Sequence, residues 1–169
     1  MLGTYAAFPQ QTHKTVQYAF SVSNRKLQQN LLQTFQQINC EKFLLEDIAP
    51  PSTPRCTVVL ELGIAEDRDF RYLDTEETNE AKKIIQKSPL QVMDFLCIIR
   101  YYRMQGETAL PLRFDYYLIR ITFSDKTLET QLFHERGPRH ISPEDLVDFI
   151  FRKINESLSK RLLKPFDDS

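Results

Sequence analysis

Alternation of apolar and polar positions predicts strands at five places along the chain. The first case is Val16, Tyr18, Phe20 and Val22, whose neighbours are polar or small. A period of two with β-branched and aromatic residues is typical of a strand that is buried on one face. Around 112–123, apolar residues fill both alternating sets, which indicates a strand covered on both faces or a bulge. The predicted strands are 16–22, 56–64, 70–72, 112–123 and 128–133.

Apolar residues spaced three and four apart predict helices between these strands. Leu27, Leu31, Phe35 and Ile38 share one face of the first helix. Its opposite face is rich in glutamine, which could serve as a polar surface for a partner or be an ordinary solvated face. The predicted helices are 24–39, 75–87, 90–104 and 143–163. N-cap residues precede them at Ser23, Asp74, Ser88 and Ser142.

The stretch 90–104 is the most apolar of these predicted helices. Leu90, Met93, Cys97 and Tyr101 recur at helical spacings, and Ser88-Pro89 resembles a helix start. We therefore expect this helix to be central or to lie in an interface.

The order of the elements predicts an α+β fold. That order is β-α-β-β-α-α-β-β-α, and the strands come as hairpins, which favours an antiparallel sheet. We expect about five strands with helices mainly on one face. Residues 1–14 lack periodicity and are predicted to be a flexible tail. Residues 15–165 form a single domain in this prediction, and 166–169 are a C-terminal tail.

Composition and charge narrow the classes of protein. The chain has 169 residues, a formal net charge of −1 and only four glycines. A dedicated nucleic-acid-coating protein would usually be strongly basic, so such binding would need a local patch. Neither a phosphate-cradling glycine loop nor a common catalytic or metal motif is found in the sequence. We therefore expect no enzyme activity, no cofactor and no bound metal.

The expected location is soluble and cytoplasmic. The three cysteines are odd in number and none lies at a CxxC spacing, so we predict buried free thiols. No secretory signal is visible, and no apolar run is long enough to span a bilayer. Association with a membrane is therefore not expected.

The densest polar cluster is residues 134–140, between a strand and the last helix. His134, Arg136, Arg139 and His140 could bind an anion or a partner there, beside the free N–H groups of the helix start. A second hypothesis is a metal or acid–base site of His134, Glu135 and His140, with Glu129 or Asp115 as a further ligand. The plainest interpretation is a polar connection in which an arginine pairs with Glu135, Asp145 or a carbonyl.

A second basic group lies on the last predicted helix. Lys153, Lys160 and Arg161 lie mostly on one side of it, together with Lys164. They could contact a phosphate backbone, although cations near a helix C-terminus are favourable in any case. A solvated helix face is the simpler interpretation.

These observations lead to two hypotheses about function. The first is a non-enzymatic interaction module, a subunit of a larger assembly or a homo-oligomer, with a protein partner or self-association. The alternative is a nucleic-acid-binding accessory protein that uses the Arg136–His140 loop and the basic C-terminal helix.

Overall fold

The computed structural model describes residues 2–49, 56–158 and 164–165. Two of the predicted basic residues, Lys160 and Arg161, lie outside the described residues. The helices are α1 (Asn24–Asn39), α2 (Leu45–Ile48), α3 (Thr75–Lys87) and α4 (Pro143–Ser157). The strands are β1 (Gly3–Thr4), β2 (Lys14–Ala19), β3 (Lys42–Leu44), β4 (Cys56–Glu66), β5 (Asp69–Tyr72), β6 (Val92–Gln105), β7 (Thr108–Pro111), β8 (Asp115–Phe123), β9 (Thr127–Arg136) and β10 (Lys164–Pro165).

One antiparallel sheet organises the described residues, and the protein has an α+β fold. Its strand order is β1-β5-β4-β6-β8-β9-β2-β10, with β3 beside β4 and β7 beside β6. The sheet has ten strands in the described ranges, so the expectation of about five was wrong. Four of the additional strands, β1, β3, β7 and β10, have two to four residues each. Such short segments carry too few residues to show an alternating pattern.

The prediction of a helix over 90–104 was also wrong, because this stretch is the long central strand β6. It pairs with β4 on one side and with β8 on the other. Met93, Cys97 and Tyr101 are four residues apart, a spacing that keeps side chains on one face of a helix and also on one face of a strand. Side chains on both faces of β6 are buried over 95–99, so this stretch is continuously apolar and its period is hidden.

The helices cover one face of the sheet, which we call the inner face. Residues from α1, α2, α3 and α4 form one core with the buried side chains of the central strands. The first helix begins at its predicted cap, where Ser23 Oγ accepts a hydrogen bond from Lys26 N at 3.2 Å. The last helix ends at Ser157, earlier than predicted. In the described ranges, none of the helices is both long and apolar enough to cross a membrane.

The glutamine face of α1 packs against α3 and the segment after it. Gln28 is fully buried, and its side-chain amide exchanges hydrogen bonds of 2.7 and 2.9 Å with the backbone of Leu90. Gln29 and Gln36 bond to Gln86 and Thr75 at 3.0 and 2.8 Å. These glutamines therefore hold helices together within the chain.

The opposite face of the sheet, the outer face, is crossed by residues 2–13, which we call the strap. At one end of the strap, Leu2 N donates to Phe70 O at 2.7 Å, and at the other end His13 N donates to Leu132 O at 2.8 Å. Between them, the Tyr5 hydroxyl donates to Asp94 at 2.6 Å. The predicted tail thus contacts the sheet at both of its ends and through Tyr5, and its flexibility stays a prediction.

The cysteines are all free, but only two of them are buried. Cys56 and Cys97 lie in the core, whereas Cys40 caps the C-terminus of α1 and is exposed. The prediction of a buried thiol was therefore wrong for Cys40.

Candidate functional site

The predicted polar cluster is organised around a residue outside it, Asp115. This carboxylate is fully buried. It accepts hydrogen bonds from the Tyr101 hydroxyl and from His134 Nε2 at 2.8 Å. It also accepts from the backbone N–H groups of Arg139 and His140, at 2.7 and 3.2 Å. A buried carboxylate is tolerated only when donors replace its lost hydration, and these four groups do so.

Local sequence explains why the loop can close over Asp115. A β-bulge at Tyr116 and Tyr117 shifts the register between β8 and the end of β9. Gly137 follows with a φ of +118°, and a Cβ there would lie 2.3 Å from Asp115 Oδ1. Glycine is therefore the residue that lets the chain pass at this distance. The Ile141 N–H then bonds to the Tyr101 hydroxyl at 3.1 Å, next to the Ser142 cap of α4.

Burial and the hydrogen bond to Asp115 both favour the neutral phenol of Tyr101, whose pKa is raised well above its usual range. The same hydroxyl donates to the carboxylate and accepts from Ile141 N. Tyr117 completes the network by donating to Ile141 O at 2.6 Å. Hydrogen bonds to Asp115, Tyr101 and Tyr117 therefore fix the backbone of residues 139–141, which connects β9 to α4.

The predicted binding residues in this cluster do not converge on one point. The side chain of His134 is only 9% exposed and is turned toward Asp115. Arg139 and His140 contribute backbone N–H groups to Asp115, while these residues are themselves exposed. The Arg136 guanidinium instead lies on the outer face, 4.0 Å from the centre of the Tyr116 ring. Anion binding by all four together stays a prediction, and the geometry separates Arg136 from the others.

The hypothesis of a metal or acid–base site involved His134, Glu135 and His140. Glu135 is exposed at the end of β9, and the His140 ring packs edge-on against Tyr101 at 4.9 Å. Within the part of the chain that the structure describes, no three His, Cys, Asp or Glu residues are grouped so that they could hold a metal ion. The chemistry that this arrangement supports is the fixing of a loop by a buried carboxylate.

The basic group of α4 is on the other side of the sheet from Arg136. Lys153 pairs with Glu156 at 3.6 Å and lies 5.4 Å from the ring of Phe43, which packs on the inner core. Tyr116, whose ring contacts the Arg136 guanidinium, packs against the buried apolar residues of the outer face. A single straight strip therefore cannot join Lys153 and Arg136.

An accessible surface that the sequence did not single out surrounds Tyr116 and Arg136. We call Leu112, Arg113, Phe114, Tyr116 and Arg136 the Tyr116–Arg136 surface. Two adjoining cavities, of about 320 and 500 Å³, are both lined by Tyr116 and Arg136. The smaller cavity is also lined by Leu112 and Phe114, and the larger one is also lined by residues 2–7 of the strap. Alternation around the start of β8 could have placed Phe114 and Tyr116 on one face, but it could not have placed Arg136 over the Tyr116 ring.

The other outer-face arginines differ from Arg136 in their partners. Arg120 makes two hydrogen bonds with Asp94, at 2.8 and 2.9 Å, and these raise its pKa. Arg100 pairs with Glu61 and lies 4.6 Å over the ring of Phe114. Among the described residues, no carboxylate lies within ion-pair distance of Arg113 or Arg136.

Comparison of the chain with known protein families, with curated proteins and with solved structures finds no match.

Proposed function

We propose that this protein is a non-enzymatic interaction module, a subunit of a larger assembly or a homo-oligomer, which contacts its partner through the Tyr116–Arg136 surface. The supporting observation is the exposed Arg136 guanidinium stacked on Tyr116 between two open cavities. Tyrosine and arginine are enriched among the residues that contribute most to protein interfaces. Leu112 and Phe114 beside them add apolar surface to be buried.

The partners of Asp115 and His134 support a role without catalysis. The Asp115 carboxylate is fully buried and accepts hydrogen bonds from four protein groups. His134 directs Nε2 at that carboxylate and is almost covered. A general acid or base must reach a substrate proton, and this pair faces the protein interior.

The test is capture of partners from extract of the native host by the purified chain, compared between variants. We expect a stoichiometric partner that is lost with Tyr116→Ala and with Arg136→Gln. The matched control is Arg103→Gln, because Arg103 is also exposed but has the strand parity of inner-face Tyr101. Thermal melting checks that each variant is folded.

Self-association is measured separately by light scattering across micromolar concentrations. A homo-oligomer should dissociate with Tyr116→Ala and persist with Arg103→Gln. A strict monomer that also captures no partner, or a partner retained equally by all variants, would contradict the proposal.

Nucleic-acid binding is the second candidate, and one observation favours it. A guanidinium stacked on an aromatic ring and open to solvent can also stack on a base or bind a phosphate. This candidate predicts salt-sensitive binding of an oligonucleotide that weakens when Arg136 and Arg139 are both changed to Ala. Lys153→Ala tests the helix strip, which lies on the opposite side of the sheet. Binding without salt dependence would exclude this candidate.

A further inference from the structure

We propose that the Tyr116–Arg136 surface binds an extended acidic segment of a protein partner, with a side-chain carboxylate of that segment on Arg136. This inference rests on the proposed function and names the chemistry of the partner.

The arginines of the outer face differ in whether a carboxylate already pairs with them. Arg100 and Arg120 are each committed to a carboxylate, Glu61 and Asp94. Arg136 has no such partner within the described ranges, although Asp115 is next to Tyr116 in the sequence. The reason is that Asp115 is buried beneath the loop and occupied by the donors described above. The donors of Arg136 are therefore left for a ligand.

The Tyr116 ring limits the positions that the Arg136 side chain can take. The Arg136 guanidinium carbon lies 4.0 Å over the centre of the Tyr116 ring, a cation–π contact that restricts the position of the exposed side chain and uses none of its N–H donors in an ion pair. Those groups form the planar fork that binds a carboxylate through two parallel hydrogen bonds. A preoriented guanidinium loses less side-chain freedom on binding, which increases affinity.

The shape of the surface around Tyr116 and Arg136 also favours an extended segment. The two cavities lie on either side of the Tyr116–Arg136 pair, since both residues line both of them. In an extended peptide, side chains on the same side recur every second residue, about 6.6 Å apart. A segment that crosses the pair can place a carboxylate on Arg136 and apolar side chains beside Leu112 and Phe114 or beside Leu96 and the strap.

Charge favours such a peptide over a polyphosphate chain. Glu135 lines the larger cavity together with Arg136, and Glu61 lies on the same face of the sheet. Arg113, which lines the smaller cavity, also has no acidic partner in the described residues. A nucleic acid meets this face with several phosphates, more than Arg113 and Arg136 can pair with, whereas a single peptide carboxylate needs only the fork of Arg136. The net charge of −1 supplies no long-range attraction either.

The experiment measures binding of a fluorescein-labelled short peptide of alternating Glu and Leu to the full chain by fluorescence anisotropy. Two further probes are the same peptide with Gln in place of Glu and a short thymidine oligonucleotide. The variants are Arg136→Gln, Arg136→Lys and the control Arg103→Gln. Amide NMR spectra locate the bound peptide on the sheet.

We expect the Glu peptide to bind at the Tyr116–Arg136 surface and to weaken roughly tenfold or more with Arg136→Gln, because a charge-assisted hydrogen-bond pair is lost. Arg136→Lys should retain part of the affinity because the charge stays and the fork is lost. Equal binding of the Gln peptide, an unchanged affinity of Arg136→Gln, or binding of the oligonucleotide alone would overturn the inference. If no peptide binds while partner capture still depends on Tyr116 and Arg136, the inference is wrong and the proposed function stands. If partner capture is also independent of these residues, both are wrong.

Discussion

Asp115 and His134 lie near the ends of adjacent strands, and His134 Nε2 is 2.8 Å from Asp115 Oδ1. Asp115 opens β8 and His134 is near the end of β9, so their contact closes the end of this hairpin. The same carboxylate accepts two backbone N–H groups of the following loop. One buried charge thus joins two strands to the connection that leads into α4.

Replacement of Asp115 by Ala should therefore destabilise the fold strongly. It leaves the N–H groups of Arg139 and His140, the ring of His134 and the Tyr101 hydroxyl without their acceptor. Each unpaired buried donor costs about 1–3 kcal/mol, so we expect a loss of roughly 3 kcal/mol or more in the free energy of unfolding. Urea denaturation measures this loss. The control is Asp148→Ala on the exposed side of α4, which should change stability by less than about 0.5 kcal/mol. Equal stability of the two variants would contradict the role of Asp115.

The passage of the loop at Gly137 allows a second, sharply controlled test. A Cβ at Gly137 would lie 2.3 Å from both Asp115 Oδ1 and Phe114 O, at a φ of +118°. Gly106 also has a positive φ, +64°, but nothing lies within 4 Å of the position that a Cβ would take there. Gly106→Ala should cost only backbone strain, about 1–2 kcal/mol. Gly137→Ala should cost roughly 3 kcal/mol or more, because the clash displaces the loop as well.

Thermal melting of both glycine variants beside the wild type gives the comparison. Gly137→Ala should also alter the amide NMR signals of Arg139 and His140, whose N–H groups bond to Asp115. A Gly137→Ala protein as stable as Gly106→Ala would show that the loop does not pass Asp115 at this distance.

Helices with one exposed face could be predicted from the sequence, whereas the central strand β6 could not. The predicted α1 and α3 match the structure because their polar faces leave the helical period visible. The strand β6 has buried side chains on both faces, so its apolar run fits a buried helix and a central strand equally well. Pairing with β4 and β8 decides between them, and that is a non-local interaction.

The candidate site, too, could be predicted from the sequence only in part. Residues 134–140 stand out because charged residues cluster there, yet the residue that organises them, Asp115, is remote in sequence and surrounded by apolar neighbours. Arg136 was predicted as part of a loop cluster with Arg139 and His140. The bulge between β8 and β9 places it on Tyr116 instead. A single charged residue inside an apolar strand, such as Asp115, was the available signal, since such a charge is buried only with partners.

The buried amide of Gln28 provides a third prediction. Its side-chain amide donates to the C=O of Leu90 and accepts from the N–H of Leu90, so both backbone groups of that residue are satisfied by one side chain. Gln28→Ala leaves both backbone groups without this partner and should lower the free energy of unfolding by about 2 kcal/mol. Gln29→Ala is the matched control, because Gln29 bonds to Gln86 at the exposed surface. That variant should lose less than about 0.5 kcal/mol in the same denaturant titration. A similar loss in both variants would mean that Gln28 contributes no more than a surface glutamine.

The contact between the strap and the sheet should depend on alkaline pH through Tyr5. Burial and the hydrogen bond to Asp94 raise the pKa of Tyr5 from its ordinary value of 10.0 to about 12. The fold therefore favours the neutral phenol. The resulting stabilisation is fully present below the unfolded pKa of 10.0 and is lost as the pH rises through about 12.

Tyr5→Phe isolates this titration, because it keeps a ring against Phe70 and removes the hydroxyl that donates to Asp94. The difference in tyrosinate absorbance between wild type and Tyr5→Phe should rise near pH 12 in the folded protein and near pH 10 in strong denaturant. Circular dichroism at each pH verifies that the protein is still folded. Proteolysis at neutral pH should cleave within the strap faster in Tyr5→Phe than in wild type, since the lost hydrogen bond no longer holds the segment on the outer face. A folded protein whose Tyr5 titrates near pH 10, with unchanged cleavage of the strap, would show that the segment does not rest on Asp94.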